Sequence, residues 1–574
     1  MVNRISQAAD DLFCPQIFLP FLIVVLSRVN PEFQRILLVR RATRTVMVGL
    51  NGNRTLVQEG CAMSGSSRSS ASRRQFLSTA VGGAILGMAD FRFAALPQVS
   101  ADEAKLKPDV VRLRSEIEPL VRFLEETPRE KIVDETVARI KRGVSYQELL
   151  AALLLAGVRN VEPRPNVGFK FHAVLVVNSA HLASLASPDH ERWLPILWAI
   201  DHFKGAQAQN IKERDGWRMS AVKESEVPPA HRAREAFVDA MQRWDVAAAD
   251  VAVAGLARTA GADEAFELIS RFAPRDFRAI GHKAIFAANS RRTLECIGWQ
   301  HAEPVLRSLT YAMLATEGSD PSQADSPADR AGRQNLELAA KISPEWRSGR
   351  IDSGATTDLL ATLRQASDLD APKAVVEMLN RGVGPQSLWD ALLDGAGEVL
   401  MRNPGIVGLH AVTSANALRY LYEASGDDLT RRWILLQGAA FVPSFRAAAI
   451  KRGGSGNDAL VDKLEPLSLA APQEAVAEIC ADISRDKMSA ARKVLTYLQA
   501  GGDAKPLIDA ARLLIFAKGR DAHDYKFSAA IMEDFYHVSP EWRDKYLAAS
   551  VFNLTGSQSA DNSLMQRARA ALGA

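Results

Sequence analysis

The chain repeats itself at a nearly constant offset. Arg142-Gly143-Val144, followed by Leu149 and Ala152-Leu153-Leu154, returns as Arg381-Gly382-Val383, followed by Leu388 and Ala391-Leu392-Leu393. Each copy then reaches a His-Ala-Val, at His172 and at His410, with an Asn six residues on, Asn178 and Asn416. Arg192-Trp193 answers Arg432-Trp433, Asp245 answers Asp486, Gly261 answers Gly502, and His282 answers His523. The offsets stay between 238 and 241 residues. A register held through several landmarks predicts two homologous halves, 102–349 and 350–574, each a unit that packs against its copy. His282 followed by Asn289 resembles His172 followed by Asn178, so each half reads as two smaller units. Such a chain forms a bundle, a toroid or a short solenoid.

The units themselves read as helices. Apolar side chains at Leu149, Leu150, Leu153 and Leu154 share one broad helical face. No alternating β-branched run is long enough to suggest a sheet. Aromatic residues make up 7% of the chain and apolar residues 47%, a balance suited to packed helices around a real core. Ser145-Tyr146-Gln147-Glu148 has the pattern of a capping box, and Thr127-Pro128-Arg129-Glu130 places a hydroxyl, a proline and a carboxylate as a helix start requires. Ser187-Pro188-Asp189 has the same form. Ser-Pro-Glu-Trp-Arg, at 343–347 and 539–543, reads as two similar helix starts. The polar stretch Glu317 to Arg333 reads as a long loop near the junction of the halves. The expected fold is all-α, with no substantial sheet.

Ahead of the repeat, Ser72-Arg73-Arg74-Gln75-Phe76-Leu77 resembles the twin-arginine signal S/T-R-R-x-F-L-K, with Ser78 in place of the final Lys. A moderately apolar Gly/Ala-rich stretch follows, then small residues at Val99-Ser100-Ala101 for a signal peptidase. That stretch is too short and too glycine-rich for a stable membrane span. Residues 63–101 therefore read as a signal peptide carried by Arg73, Arg74, Phe76 and Leu77, and 1–62 as an extension from a misassigned start or a disordered segment. The resemblance implies a passenger of the Tat translocase, exported already folded to the periplasm or beyond, with no stable membrane span in its mature form. Many such passengers load a cofactor before export.

The formal charge is only +3, and no dense basic run with interleaved aromatics occurs, so nucleic acid is not an expected partner. Of the four cysteines, Cys14 and Cys61 precede the signal, and Cys296 and Cys480 either pair or remain buried thiols. There is no CxxCH for covalent haem, no CxxC, GxSxG, HExxH, P-loop or EF-hand. Gly453-Gly454-Ser455-Gly456-Asn457 reads as a loop without the Lys-Ser/Thr that phosphate binding needs. Gly143 to Leu154 resembles helices of the carboxymuconolactone decarboxylase and alkylhydroperoxidase-D group over about a dozen residues, without the cysteine pair of the latter, and no function follows from it.

What remains is histidine. His172 pairs with His410 and His282 with His523 at the repeat offset. If the halves pack about a pseudo-twofold axis, neutral imidazoles converging in a helical interior suit a transition metal or a non-covalent haem, with an oxidoreductase as one use. The competing expectation is that each His hydrogen-bonds a neighbouring carbonyl in a cofactor-free helical-repeat protein that binds a partner. His231 with Glu235 and Glu533 with His537 have i, i+4 spacing, which solvated pairs also have. His181, His190 and His202 lack partners in the other half. Trp193 and Trp433 read as core aromatics that could line a cleft. The reaction and its substrate are not written in these motifs.

Overall fold

Residues 113–164, 169–316, 318–453, 458–519 and 521–573 are described by a computed structural model of the chain. The twin-arginine segment, the extension 1–62, Cys14, Cys61 and most of the glycine loop at 453–457 lie outside the described residues.

The described residues form helix after helix. The first are α1 (Glu118–Glu126), α2 (Arg129–Lys141), α3 (Tyr146–Asn160), α4 (His172–Leu175), α5 (Val177–Ala186) and α6 (Leu194–Arg214). There follow α7 (Ala230–Gln242), α8 (Val246–Thr259), α9 (Ala262–Ser270), α10 (His282–Ile297), α11 (Ala302–Met313) and α12 (Pro327–Ala339). The next are α13 (Ser353–Leu363), α14 (Ala371–Asn380), α15 (Pro385–Arg402), α16 (Ile406–Ala424) and α17 (Asp428–Lys451). The last are α18 (Ala475–Asp482), α19 (Lys487–Gln499), α20 (Ala504–Lys518), α21 (Ala522–His537), α22 (Pro540–Ser550) and α23 (Ser563–Leu572). Among the described residues the only sheet-like pairing is an isolated bridge between Arg350 and Val383. The fold is all-α, as the periodicity predicts.

Local chemistry explains many of the boundaries. The Ser145 hydroxyl accepts from the Glu148 amide, while the Glu148 carboxylate accepts from the Ser145 amide at 3.0 Å, so the capping box is real. Asp245 and Asp486, one of the repeat-paired sets, both cap helices, accepting from Ala248 and from Met488 and Ser489. Each such cap satisfies amides that the first turn leaves orphaned.

Other starts differ from expectation. The Thr127 hydroxyl turns back to donate to the Phe123 carbonyl at 2.7 Å, closing α1 instead of opening α2, so the capping role expected of it is not filled. Ser187-Pro188 leads only into a 3₁₀ turn at Asp189–Glu191. The first Ser-Pro-Glu-Trp-Arg likewise gives a 3₁₀ turn, Trp346–Ser348, because the chain must then extend to pair Arg350 with Val383. The second copy does start a helix, α22. The stretch from Glu317 is not loop as far as Arg333, since Ser326-Pro327 starts α12 and its apolar side packs inward. Cys296 and Cys480 are both free thiols.

One contiguous apolar core extends through the helices. At its centre lies α16, buried on almost every turn and packed against α10, α15, α17 and α21. The long α17 is the one described helix with the length and apolarity to cross a membrane, but 72% of its most apolar window is buried among other helices. Four helices close a ring within this core: α4 touches α10, α10 touches α16, α16 touches α21, and α21 touches α4.

Candidate metal centre

Each helix of that ring carries one of the repeat-paired histidines near its N-terminal end. His172 opens α4, His282 opens α10, His410 lies one turn into α16, and His523 is the second residue of α21. All four side chains are buried, with exposures of 2%, 4%, 0% and 7% in that order. Their rings meet. Neighbouring centroids are 4.8 Å apart for His172 and His282, 4.5 Å for His282 and His410, 5.1 Å for His410 and His523, and 4.3 Å for His523 and His172. Across the ring, His172 and His410 stand 6.2 Å apart. The four imidazoles thus sit near the corners of a square, and the residues paired in sequence lie on its diagonals.

The Nε2 atoms of three of them, His172, His282 and His410, come together, while His523 meets the cluster through ring contacts. His282 Nε2 is 3.0 Å from His172 Nε2 and 2.9 Å from His410 Nε2. Ligand atoms of these three histidines all lie within 4.8 Å of one another. The outer nitrogens are anchored. His282 Nδ1 meets the Ala279 carbonyl at 2.7 Å, His410 Nδ1 the Ile406 carbonyl at 2.6 Å, and His523 Nδ1 the Asp521 carboxylate at 3.1 Å. At His282 and His410 the Nδ1 must carry the proton to donate to a carbonyl, so the lone pair is on Nε2. At His282 and His410 two such lone pairs face each other at 2.9 Å. A proton on either Nε2 would make an imidazolium. Burial, reinforced by the charge of Lys526, holds the pKa of His172, His282 and His410 well below the usual imidazole value. Neutral rings with converging lone pairs are the arrangement a cation completes.

The backbone at His282 is strained to present it. Ala279, Ile280 and Gly281 take φ of 50°, 45° and 79° in succession, and a β-branched residue such as Ile280 rarely enters this region. The turn places the Ala279 carbonyl beneath His282 Nδ1. Gly281 is also pressed against α16: a Cβ there would lie 1.9 Å from Ser414 Oγ. Ser414 follows His410 by one turn, so this close approach fixes α10 against α16 where their histidines meet.

A fifth residue, which the repeat does not flag, completes the surroundings. Lys526 lies one turn beyond His523 on α21, is 3% exposed, and its Nζ has no hydrogen-bond partner. Burial lowers its pKa to about 7. A lysine inside Ala522–Met532, where nearly every neighbour is buried, was the available sequence signal. Aromatic pairs lie next to these residues in sequence: Phe171, which precedes His172, meets Phe286 edge-on at 4.9 Å, and Tyr525, which precedes Lys526, stacks on Trp198 at 4.0 Å.

The other candidate residues do not join this cluster. His181 Nδ1 meets the Tyr146 hydroxyl at 3.0 Å, and His202 stacks on Trp198 with its pKa lowered to about 4 by burial. His231 and Glu235 are exposed on α7. Glu533 is tied to Arg292 and Asn416, while His537 lies 3.8 Å from Asp534, so that pair belongs to an ion and amide network. Asn416 also donates to Asp534 at 2.9 Å, consistent with its six-residue separation from His410. Trp193 packs on Tyr146, and Trp433 is buried, donating to the Gly332 carbonyl at 3.1 Å while lining a cleft of about 820 Å³ with Trp244 and Phe272. None of the four central histidines lines that cleft. Comparison of the chain with protein-family models, with curated proteins and with solved structures finds no match in any of the three.

Proposed function

We propose that this is an exported helical protein that holds one transition-metal ion among His172, His282, His410 and His523, and that the ion serves redox chemistry on small molecules. One observation carries the reading: two buried neutral imidazoles, His282 and His410, direct lone pairs at each other across 2.9 Å. A metal ~2.0–2.1 Å from each nitrogen sets neighbouring donors roughly 2.9–3.4 Å apart, for bond angles of ~90° to ~110°. The Nε2 spacings of 2.9 and 3.0 Å fall at the lower end of that range. Carbonyl and carboxylate partners on the outer nitrogens are the usual support of metal-bound imidazole.

The all-nitrogen donor set suits Zn, Cu, Fe or Ni, and does not suit Mg or Ca. A haem does not fit. Each imidazole touches its neighbour around the ring, and no slot remains between opposite histidines for a macrocycle. The twin-arginine resemblance agrees with a site closed inside the core, since a protein exported folded can take its metal beforehand. The proposed halves would each supply two neighbouring ligands, with the repeat-paired histidines set across the ring from each other by a pseudo-twofold axis.

The test is metal analysis with an absorption spectrum on protein expressed with its own signal and recovered after export. One transition-metal ion per chain, lost in His410→Ala and in His282→Ala, is the expected result. A folded, colourless, metal-free protein, with both variants lowering only the melting temperature, would return the histidines to a packing role and favour a cofactor-free binding protein.

A further inference from the structure

We propose that the metal centre takes a small monoanion, of the size of azide or superoxide, as an additional ligand, and that Lys526 Nζ donates the hydrogen bonds that hold it. This rests on the metal reading above and adds the class of exogenous ligand. Lys526 is 3% exposed, yet its Nζ has no hydrogen-bond partner, whereas the other buried lysines among the described residues have theirs. Lys204 donates to the Leu124 and Glu125 carbonyls, and Lys283 to Asp276 at 2.9 Å. An unpartnered buried amine costs stability and calls for a partner.

Its position says what. On α21, Lys526 follows His523 by three residues, so the two side chains share a helical face. Lys526 also lies within electrostatic range of His172, His282 and His410, whose pKa its charge helps to lower. Charge balance gives the sign of the ligand. Imidazole ligands bring no negative charge, so a divalent ion held by them is left uncompensated. The carboxylate near the ring, Asp521, is engaged with His523 and is more than half exposed. A buried concentration of positive charge of this kind draws an anion from solvent. The four imidazoles and Lys526 are all buried in the core, at most 7% exposed, which restricts that anion to a small one. The amine donates whether or not it is protonated, so the role does not depend on its titration.

The experiment uses the full mature chain loaded with Cu(II) or Co(II) and titrated with sodium azide, read by the charge-transfer band of the azide–metal pair. Wild type and Lys526→Met are compared, with Lys526→Gln as a second variant that keeps a donor and serves if the first fails to fold. The expected result is unchanged metal content with azide affinity weakened at least about tenfold in Lys526→Met, the size of one charge-assisted hydrogen bond, and less in Lys526→Gln. Equal azide affinity in wild type and Lys526→Met overturns the inference and leaves the metal site standing. Loss of metal in both variants also overturns it, because Lys526 would then be a ligand. A wild-type protein that takes up no metal overturns the metal reading, and this inference with it.

Discussion

Replacing Gly281 by alanine should damage the protein through two separable terms. The first is conformational: Gly281 sits at φ 79°, and an L-residue held in the left-handed region costs ~1–2 kcal/mol. The second is steric. The new Cβ would lie 1.9 Å from Ser414 Oγ and 2.9 Å from Ser414 Cβ, so α10 and α16 must move apart, a form of overpacking worth ~1–3 kcal/mol. Together Gly281→Ala should lower stability by roughly 2–5 kcal/mol, read as a fall in the urea midpoint at constant m. Ser414→Gly removes both clashing atoms, so the double variant should recover the steric term and keep only the conformational one. The double-mutant cycle should then show a favourable coupling of ~1–3 kcal/mol. Because His282 is the next residue and His410 lies one turn before Ser414, metal content should fall in Gly281→Ala and return in the double variant. A loss below about 1 kcal/mol, or a coupling within about 0.5 kcal/mol of zero, would refute the close packing of these helices.

Metal-free protein should weaken in mild acid. The pKa values of His172, His282 and His410 are all depressed, so below about 6.5 the unfolded chain takes up protons that the folded one refuses. Stability should therefore drop as pH falls through the unfolded imidazole value, visible as a urea midpoint that falls between pH 7.5 and 5.5 and falls less in His410→Phe. Asp394 is fully buried, and neither carboxyl oxygen has a hydrogen-bond partner, so burial raises its pKa well above the usual carboxylate value. Asp394→Leu should therefore stabilise the protein at pH 7 by ~1–3 kcal/mol, and a lower midpoint would show an interaction that the structure lacks. Arg159, fully buried between Glu118 and Glu125 at 2.8 and 2.6 Å, should cost ~3–5 kcal/mol on replacement by alanine, since two carboxylates lose their partner. His181→Phe, remote from the ring, should leave metal content unchanged.

The fold class was legible because helical periodicity and capping chemistry are local. Ser145, Asp245 and Asp486 do at the helix starts what their types allow. Thr127 and Ser343 were misread because the same residue types serve both ends of helices, and a distant bridge to Val383 redirects the chain after Ser343. The convergence of His172, His282, His410 and His523 was readable only through the repeat: no spacing rule joins ligands more than a hundred residues apart. Lys526 and the left-handed run at 279–281 escaped, since neither has a counterpart in the other half to mark it. Lys526 aligns with Ile285 at the His282–His523 offset.

The centre also works against the stability of the metal-free fold. Ala279 and Ile280 hold left-handed conformations that cost ~1–3 kcal/mol each where the residue is not glycine. Two lone pairs face each other, and a buried amine has no acceptor. An apolar ring of leucines would pack the same helices without any of this. A core assembled against its own stability implies a bound state that restores it, and binding to the native state alone adds about 4.1 kcal/mol at a ligand concentration of a thousand times Kd. Melting is therefore the most direct reporter. Substoichiometric Cu(II), Ni(II), Zn(II) or Fe(II) should split the thermal transition into metal-free and metal-bound populations, and one equivalent should leave only the upper one. In the His282→Leu, His410→Leu double variant the metal-free protein should melt above metal-free wild type, and added metal should no longer shift it. A double variant that melts lower than metal-free wild type would mean that the imidazoles are packing residues, and that the reasoning from strain to ligand fails.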